Sequence, residues 1–314
     1  MKKIKLIIIT FTVIFLITIL SIYIYKSKNI VESAAKGSSD VDLAFAVLGD
    51  IHENTGSLKK AIKDLYKINS NMDVLILNGD IVDQGSDRQY KSIKNVLNKN
   101  KKLLPKAIIK NIGNHEFFEY DISINSPEQV QGFINRYLEF AGESNVYHDT
   151  WVRGYHFISL GSEDGNSETL NSMTAFISDK QLKWFEEKLG ANYQKGRPIF
   201  VFLHQPLDYG NVGWIGVKQS EQIKEILSQY PEVILFSSHS HSDLNENSVI
   251  LNMPFTIVNT GAVHYTIIND ANSKNGRRSE RYIKGVYVEV KGNNVTIKGR
   301  DIKEKKWIFT KVLS

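Results

Sequence analysis

The sequence predicts an α/β fold made of two packed, mixed β-sheets with helices outside, a four-layer α/β/β/α sandwich. Three observations predict it. The first half of the chain alternates apolar strand-like runs with amphipathic helical segments, as in strands joined by crossover helices. The last third consists mostly of strand patterns. The 314 residues are 42% apolar, which is enough for the sizeable core of such a sandwich.

The first elements alternate between strand and helix. Strand 43–50 (LAFAVLGD) ends in Gly-Asp, helix 57–68 carries an apolar face, and strand 73–80 (DVLILNGD) again ends in Gly-Asp. The periodicity of 87–97 predicts a second helix. The apolar run within 106–116 predicts a third strand that leads into a loop.

The middle of the chain contains clear helix boundaries. Ser126 precedes a proline and stands three residues before a glutamine, which is a capping box, and this helix should end at Gly142. Ser178 should begin another helix that ends at Gly190. Residues 150–160 (TWVRGYHFISL) are interpreted as one strand.

The remaining elements are mostly strands. Residues 220–230 form the one clear helix of this region. Strand patterns occupy 197–206, 233–237, 248–265, 284–290, 294–299 and 306–312.

The composition restricts the chemistry. The chain has no cysteine, which excludes disulfides, thiolate metal sites and cysteine nucleophiles. Any metal ion must therefore be held by His, Asp, Glu or Asn, the ligands of a catalytic ion rather than of structural zinc. The net charge of +5 comes from five lysines within residues 1–28, so the rest of the chain has 34 basic and 34 acidic residues. We therefore expect no nucleic-acid partner.

The N-terminus predicts a membrane segment. Twenty uncharged residues lie between Lys5 and Lys26, long enough to span a bilayer as a helix and longer than the apolar part of most secretory signals. We interpret 1–28 as a transmembrane anchor or signal, 29–40 as a polar tether and 41–314 as the catalytic domain. The flanking lysines favour a single-pass protein with an extracytoplasmic domain, which would be secreted if the segment were cleaved.

Polar side chains gather at the ends of five predicted strands. Because ligands collect at the carboxyl ends of strands in α/β folds, and because residues i and i+2 of a strand share a side, these residues should meet. They are acids, amides and imidazoles, which Mn, Fe and Zn accept, and seven are too many for one ion. They suit two divalent ions that share a bridging carboxylate. The seven residues are Asp50, His52, Asp80, Asn114, His204, His239 and His241.

The ordered set D-x-H, G-D, G-N-H, a lone H and H-x-H resembles the calcineurin-like metallophosphoesterase family, from Asp50 to His241. The resemblance implies hydrolysis of a phosphomonoester or phosphodiester by a hydroxide that bridges two metal ions. The nature of the ester and the identity of the metal stay open. The resemblance implies a phosphate-ester substrate, and the N-terminal segment, independently of it, predicts attachment to a membrane.

The resemblance also implies individual roles. Asp50, His52 and His241 would bind the first ion, and Asp80 would bridge both ions. His115 would be no ligand but would protonate the leaving oxygen. Asn114, His204 and His239 would complete the coordination of the second ion.

Two positions depart from the family pattern. The family usually has a glycine where this chain has Ser238, and often an aspartate where it has Glu116. Neither departure removes a ligand, so we expect an active site. The glycines before the ligands, such as Gly49, Gly79 and Gly113, should allow the backbone to turn and to approach closely.

Other functions and residues stay open. The same fold could serve as a catalytically weak protein-binding scaffold or as a nuclease. His264, Tyr209 and Trp214 could line the site or be structural. Asp83 is interpreted, with Glu53 and Asp87, as an exposed helix or loop charge.

Overall fold

The computed structural model describes residues 41–207, 216–273 and 275–314, and Leu43–Ser314 form one compact unit. The predicted anchor and tether lie outside these residues, as do Tyr209 and Trp214. In the three described ranges, no helix combines the length and the apolar character that crossing a membrane requires.

The described residues contain five α-helices and fourteen strands. The helices are α1 Thr55–Ile68, α2 Asp87–Lys99, α3 Pro127–Ala141, α4 Asp179–Gly190 and α5 Ser220–Leu227. The strands are β1 Leu43–Leu48, β2 Val74–Asn78, β3 Ala107–Asn111, β4 His148–Val152, β5 Tyr155–Ser159, β6 Ile199–Phe202, β7 Val233–Ser237, β8 Val249–Ile250, β9 Thr256–Asn259, β10 Thr266–Asn269, β11 Arg277–Glu280, β12 Lys284–Lys291, β13 Asn294–Asp301 and β14 Lys306–Leu313.

Two six-stranded sheets organise the molecule. The first has the order β14-β13-β12-β1-β2-β3, with a parallel core of β1, β2 and β3 and an antiparallel half. The second has the order β4-β5-β6-β7-β9-β8, in which β5, β6, β7 and β9 are parallel. Both sheets are mixed, which confirms the predicted fold class. Strands β10 and β11 form a separate hairpin.

Three apolar clusters separate four layers. Between the sheets, the ring of Phe45 lies 4.8 Å from that of Phe200 and 5.2 Å from that of Phe157. On the outer face of the first sheet, Leu58 of α1 packs in one cluster with residues of α2 and α3. On the outer face of the second sheet, Phe185 packs in a cluster that joins α4 and α5 to the strands. The apolar area removed from water on these faces stabilises the sandwich.

The two helices with predicted caps begin and end where the sequence predicts, whereas the helix predicted at 220–230 ends earlier, at Leu227. The Ser126 side chain accepts a hydrogen bond from the Gln129 backbone, the Gln129 side chain accepts one from the Ser126 backbone, and Gly142 ends α3 in a left-handed conformation. Ser178 caps α4.

The single strand predicted at 150–160 is wrong. Residues 148–159 form a hairpin of β4 and β5, because Arg153 (φ 53°) and Gly154 (φ 76°) both adopt positive φ and reverse the chain. Two consecutive residues with positive φ are characteristic of the tight turn that joins antiparallel strands.

We predict that Asp64→Ala lowers the free energy of unfolding by about 3–5 kcal/mol, because it leaves a buried guanidinium without its partner. Asp64 of α1 and Arg300 of β13 are both buried and form two hydrogen bonds, of 2.8 and 3.0 Å. Urea unfolding measures the change. Glu221→Ala, which breaks an exposed pair with Lys224, is the control and should change it by less than about 0.5 kcal/mol. A cost of Asp64→Ala as small as that of the control would contradict the prediction.

Candidate metal centre

The loops after β1, β2, β3, β6 and β7 bring all seven predicted ligands to one place between the two sheets. Each of these residues is at most 7% exposed. Burial of so many ionisable groups is unfavourable unless they are paired with each other or with an ion. The arrangement therefore indicates a binding site for cations rather than part of the apolar core.

The first group consists of Asp50, His52 and His241, whose ligand atoms all lie within 4.8 Å of one another. The Nε2 atoms of His52 and His241 are 3.1 Å apart, and His241 Nε2 is 3.3 Å from Asp50 Oδ1. Two nitrogens bound to one ion at roughly 2.0–2.1 Å stand about 3 Å apart, so this spacing suits a shared cation.

The second group consists of Asp80, His204 and His239, again within 4.8 Å. His204 Nε2 lies 3.2 Å from Asp80 Oδ2, and His239 Nδ1 lies 2.9 Å from Asn114 Oδ1. The amide oxygen of Asn114 thus faces the same point as the imidazole of His239.

Asp80, the carboxylate of the second group, also lies close to the first. Its Oδ2 is 3.2 Å from His204 Nε2 in the second group and 3.8 Å from His52 Nε2 in the first. This is the position that a bridging carboxylate requires.

Hydrogen bonds determine which ring nitrogen of three histidines faces the site. His204 Nδ1 donates to the Asn78 carbonyl at 2.8 Å, and His241 Nδ1 donates to the Tyr265 carbonyl at 2.9 Å, because a carbonyl only accepts. His52 Nδ1 lies 3.4 Å from a carboxylate oxygen of Asp83. In each ring Nε2 is directed at the carboxylates, as in metal-ligating histidines oriented by a second hydrogen bond.

Burial and mutual charge set the ionisation of the site. Burial raises the pKa of Asp50 to about 7. Burial opposes ionisation of Asp80 as well, but the imidazoles, His204 first, hold the pKa of Asp80 well below its usual range. Asp80 in turn raises the pKa of His204 to about 9, against burial. Burial lowers the pKa of His239 to about 3 and of His241 to about 4, so both are neutral at pH 7 and can donate lone pairs.

These residues fit two divalent transition-metal ions. The oriented nitrogens and the carboxylates converge on two adjacent points, and their nitrogen and oxygen atoms are the ligands that Mn, Fe and Zn accept.

Five of the seven candidate ligands adopt left-handed backbone conformations. The φ angles are 52° at Asp50, 47° at His52, 47° at Asp80, 66° at His239 and 51° at His241. Each such conformation costs on the order of 1–3 kcal/mol in a residue other than glycine, and persists only where the surroundings impose it. The backbone turn expected of the preceding glycines is therefore made largely by the ligands themselves.

Gly113 instead provides space. A Cβ atom there would lie 2.3 Å from Asp80 Oδ1 and 2.4 Å from Asp80 N. Gly79 alone among the three predicted glycines combines positive φ (80°) with such crowding, because a Cβ there would meet the His204 ring at 2.4 Å.

Glu116, one of the two departures from the family pattern, organises the loop that carries Asp80. Its fully buried carboxylate accepts hydrogen bonds from four backbone N–H groups. The donors are Asp80 (3.0 Å), Ile81 (2.8 Å), Val82 (3.3 Å) and Gly113 (2.6 Å). The glutamate therefore fixes both the β2 loop and the β3 loop.

Ser238, the other departure, belongs to a buried hydrogen-bond network below the centre. Its hydroxyl accepts from the Asn78 side chain at 2.9 Å and lies 2.6 Å from the Thr260 hydroxyl. The Asn111 side chain donates to that of Asn78 at 2.8 Å. Because Ser238 is not at positive φ, the glycine usual in the family is not needed here. Ser238, which follows β7 of the second sheet, is thereby hydrogen-bonded to Asn78 of β2 in the first sheet, so the serine at this position links the two sheets.

His115 lies at the edge of the centre and is partly exposed. Its ring is 4.3 Å from that of His52, its Nδ1 donates to the Asp83 carbonyl at 3.0 Å, and its backbone N–H donates to Asp80 Oδ1 at 2.9 Å. One of its ring nitrogens lies within 4.8 Å of ligand atoms of His52 and Asp80, so the geometry alone would also allow it to bind a metal ion, but it is more exposed than the seven predicted ligands.

Asp83 is not the exposed charge that we expected. Its carboxylate contacts His52 Nδ1 at 3.4 Å and the Tyr120 hydroxyl at 2.8 Å, and lies 3.6 Å from His115 Nδ1. The hydrogen bond from His52 lowers the pKa of Asp83. The one signal in the sequence was its position three residues after Asp80, in the same loop.

His264 also belongs to the surroundings of the centre. Its ring is 5.5 Å from that of His52, its backbone N–H donates to the Asp50 carbonyl at 2.9 Å, and its buried Nδ1 has no hydrogen-bond partner. Glu53, by contrast, pairs with Arg88 and contacts none of the candidate ligands through its side chain in the described structure.

The fold and these side chains define a two-sheet α/β protein with a candidate dinuclear metal centre. The sequence model of the calcineurin-like phosphoesterase family matches residues 43–243, which include the seven candidate ligands and His115. The chain belongs to this family, which confirms the predicted resemblance.

Known proteins with similar sequences or folds agree with this assignment. The chain is 24% identical over 195 residues to a 3',5'-cyclic-nucleotide phosphodiesterase of Nostoc sp., an alignment that covers 60% of this chain and 63% of that protein. The chain spans about six tenths of the length of the curated relatives it matches.

Solved structures share this fold, as two examples show. A dimetal phosphatase from Danio rerio is 14% identical, with a TM-score of 0.60 over 88% of this chain and 99% of that one. GAP50, described as the anchor in the inner membrane complex of Plasmodium, is 15% identical, with a TM-score of 0.60 over 87% of this chain and 88% of that one.

We predict that Glu116→Ala lowers the free energy of unfolding by at least about 3 kcal/mol, because four buried N–H groups lose their acceptor at roughly 1–3 kcal/mol each. Urea unfolding and metal content after dialysis are the measurements. Glu119→Ala, an exposed acid of the same segment, is the control and should change neither. Normal stability and normal metal content in Glu116→Ala would show that the four hydrogen bonds do not hold the loops.

Proposed function

We propose that the protein hydrolyses a phosphomonoester or phosphodiester at two divalent metal ions, with His115 as the proton donor to the leaving oxygen. The observation that carries this proposal is the pair of buried groups, each with one carboxylate and two imidazoles, which Asp80 of the second group connects to the first. Membership of a phosphoesterase family supports it.

The chemistry expected of the site follows from its donors. When bound, two divalent ions lower the pKa of a water and offset the charge of phosphate oxygens. Mn, Fe and Zn are the candidate ions. Asp80 would hold both ions; Asp50, His52 and His241 would bind the first, and Asn114, His204 and His239 the second.

His115 is suited to proton transfer. Its Nδ1–H is held by the Asp83 carbonyl, which leaves Nε2 as the nitrogen that can deliver a proton to a leaving group. Imidazole is the side chain used most often for this step, and a positioned one contributes roughly 10²–10⁴-fold to the rate. Asp83 orients this ring as well as that of His52.

Two alternatives have specific grounds. A catalytically weak protein-binding scaffold is one alternative, since GAP50, described as an anchor, has the same fold, but all seven candidate ligands are present and converge in this chain. A nuclease is disfavoured because the chain beyond residue 28 has equal numbers of acidic and basic residues. The similarity to a 3',5'-cyclic-nucleotide phosphodiesterase favours a phosphodiester over a monoester.

We predict that Asp80→Ala loses bound metal and that His115→Ala keeps it while losing about 10²–10⁴-fold in kcat. The protein is stripped with a chelator, reloaded with Mn, Fe or Zn singly, and assayed on bis(4-nitrophenyl) phosphate and 4-nitrophenyl phosphate. Elemental analysis measures the metal. Asp121→Ala, an exposed acid, should match the unchanged protein in both measurements.

Two results would contradict these roles. Two ions retained in Asp80→Ala would exclude the bridging role. Equal turnover with and without metal would exclude the proposed chemistry as a whole.

We further propose that the chain is attached to a membrane with its catalytic domain outside the cytoplasm, or is secreted if the N-terminal segment is cleaved. The support is the uncharged stretch of twenty residues between Lys5 and Lys26. We predict that the full chain stays with membranes after carbonate washing, whereas a chain that begins at residue 37 does not. Release of the full chain by carbonate would exclude an anchor.

A further inference from the structure

Tyr120 is an exposed aromatic residue held rigidly beside the candidate centre. Its side chain is 62% exposed, yet its hydroxyl donates to Asp83 Oδ2 at 2.8 Å. Its backbone N–H donates to Gln84 Oε1 at 3.0 Å. An exposed tyrosine normally loses rotamer freedom when it binds a ligand. The side chain and the backbone of Tyr120 are already held by these hydrogen bonds, which lowers the entropic cost of binding.

The Asp83 carboxylate connects Tyr120 to two imidazoles of the candidate centre. Asp83 is 3.6 Å from His115 Nδ1 and 3.4 Å from His52 Nδ1. The Phe118 ring, two residues away on the same segment, is 4.4 Å from the His115 ring. Two aromatic side chains therefore adjoin the imidazole to which we assign protonation of the leaving oxygen.

We propose that Tyr120, with Phe118, recognises a planar aromatic group on the leaving side of the substrate, so that the preferred substrate is a phosphate ester of an aryl or nucleoside type. This inference rests on the proposed function, because the position of the leaving group is taken from the role of His115. The chemical basis is that flat π-systems stack on tyrosine, whereas a small alkyl group offers little area. Tyr120 is then a specificity-determining residue.

Binding of non-hydrolysable phosphonates tests the inference without turnover. The full chain is loaded with Mn²⁺ and titrated calorimetrically with phenylphosphonate and methylphosphonate, which carry the same anionic group. We expect phenylphosphonate to bind roughly tenfold tighter, as for one aromatic stacking contact. In Tyr120→Ala the ratio should fall below about threefold, because the phenyl group loses its stacking partner.

Two further variants sharpen the comparison. Tyr120→Phe keeps the ring and loses the hydrogen bond to Asp83, so its ratio should fall only part of the way. Tyr193→Ala is the matched control, because Tyr193 is 39% exposed and its hydroxyl also donates to a carboxylate, Glu232 Oε2, at 2.9 Å. It should keep the full ratio.

A second pair of ligands distinguishes the source of the aromatic group. AMP and ribose 5-phosphate differ by the base. If AMP binds more tightly than ribose 5-phosphate and Tyr120→Ala removes this preference, the aromatic group is the base of a nucleoside. If Tyr120 contributes nothing to AMP binding but still determines the preference for phenylphosphonate, the aromatic group is a shorter aryl group.

The inference fails if neither phosphonate binds, if both bind equally, or if Tyr120→Ala keeps the full ratio. These results are separable from a failure of the proposed function. A Tyr120-dependent ratio without ester hydrolysis would retain the aromatic binding site and exclude the phosphoesterase. Metal-dependent hydrolysis with a ratio independent of Tyr120 would do the reverse.

Discussion

The candidate centre depends on one carboxylate that is not among its predicted ligands. The Glu116 carboxylate accepts hydrogen bonds from four backbone N–H groups and so fixes the left-handed turn at Asp80. The Asp80 carbonyl accepts from two amides of the β1 loop, which carries Asp50. The Asp50 carboxylate in turn accepts from the His239 backbone after β7. A chain of hydrogen bonds therefore runs from Glu116 through four of the five loops that must meet, those after β1, β2, β3 and β7, and it offsets the backbone strain of the ligands.

Much of the architecture could be predicted from the sequence because it follows from local patterns. Apolar runs of strand length, amphipathic helices and the Ser126 capping box each contain their own signal within a few residues. The ligand set was also predictable, because every member follows directly after a strand and the carboxyl ends of parallel strands gather at one edge. The structure brings all seven residues together, while their role in metal binding stays a prediction until ions are measured.

The rest depends on backbone geometry or on contacts between distant residues. The turn at Arg153 was missed because a left-handed arginine has no signature in composition, and the apolar pattern continues on both sides of it. Asp83 was misjudged because its partners His52 and Tyr120 are more than thirty positions away. The support that Glu116 gives to Asp80 has the same origin, since nothing near residue 116 in the sequence indicates four convergent amides.

Each candidate cation site takes its ligands from both sheets. Asp50 and His52 follow β1 of the first sheet, whereas His241 follows β7 of the second, and Asp80 meets His204 and His239 in the same way. An ion held there would act as a cross-link between the two halves of the sandwich, and its binding free energy would add to the cohesion of the inter-sheet core. Resistance to heat and to proteases would then vary with the supply of transition metal in the surroundings, even when no substrate is present.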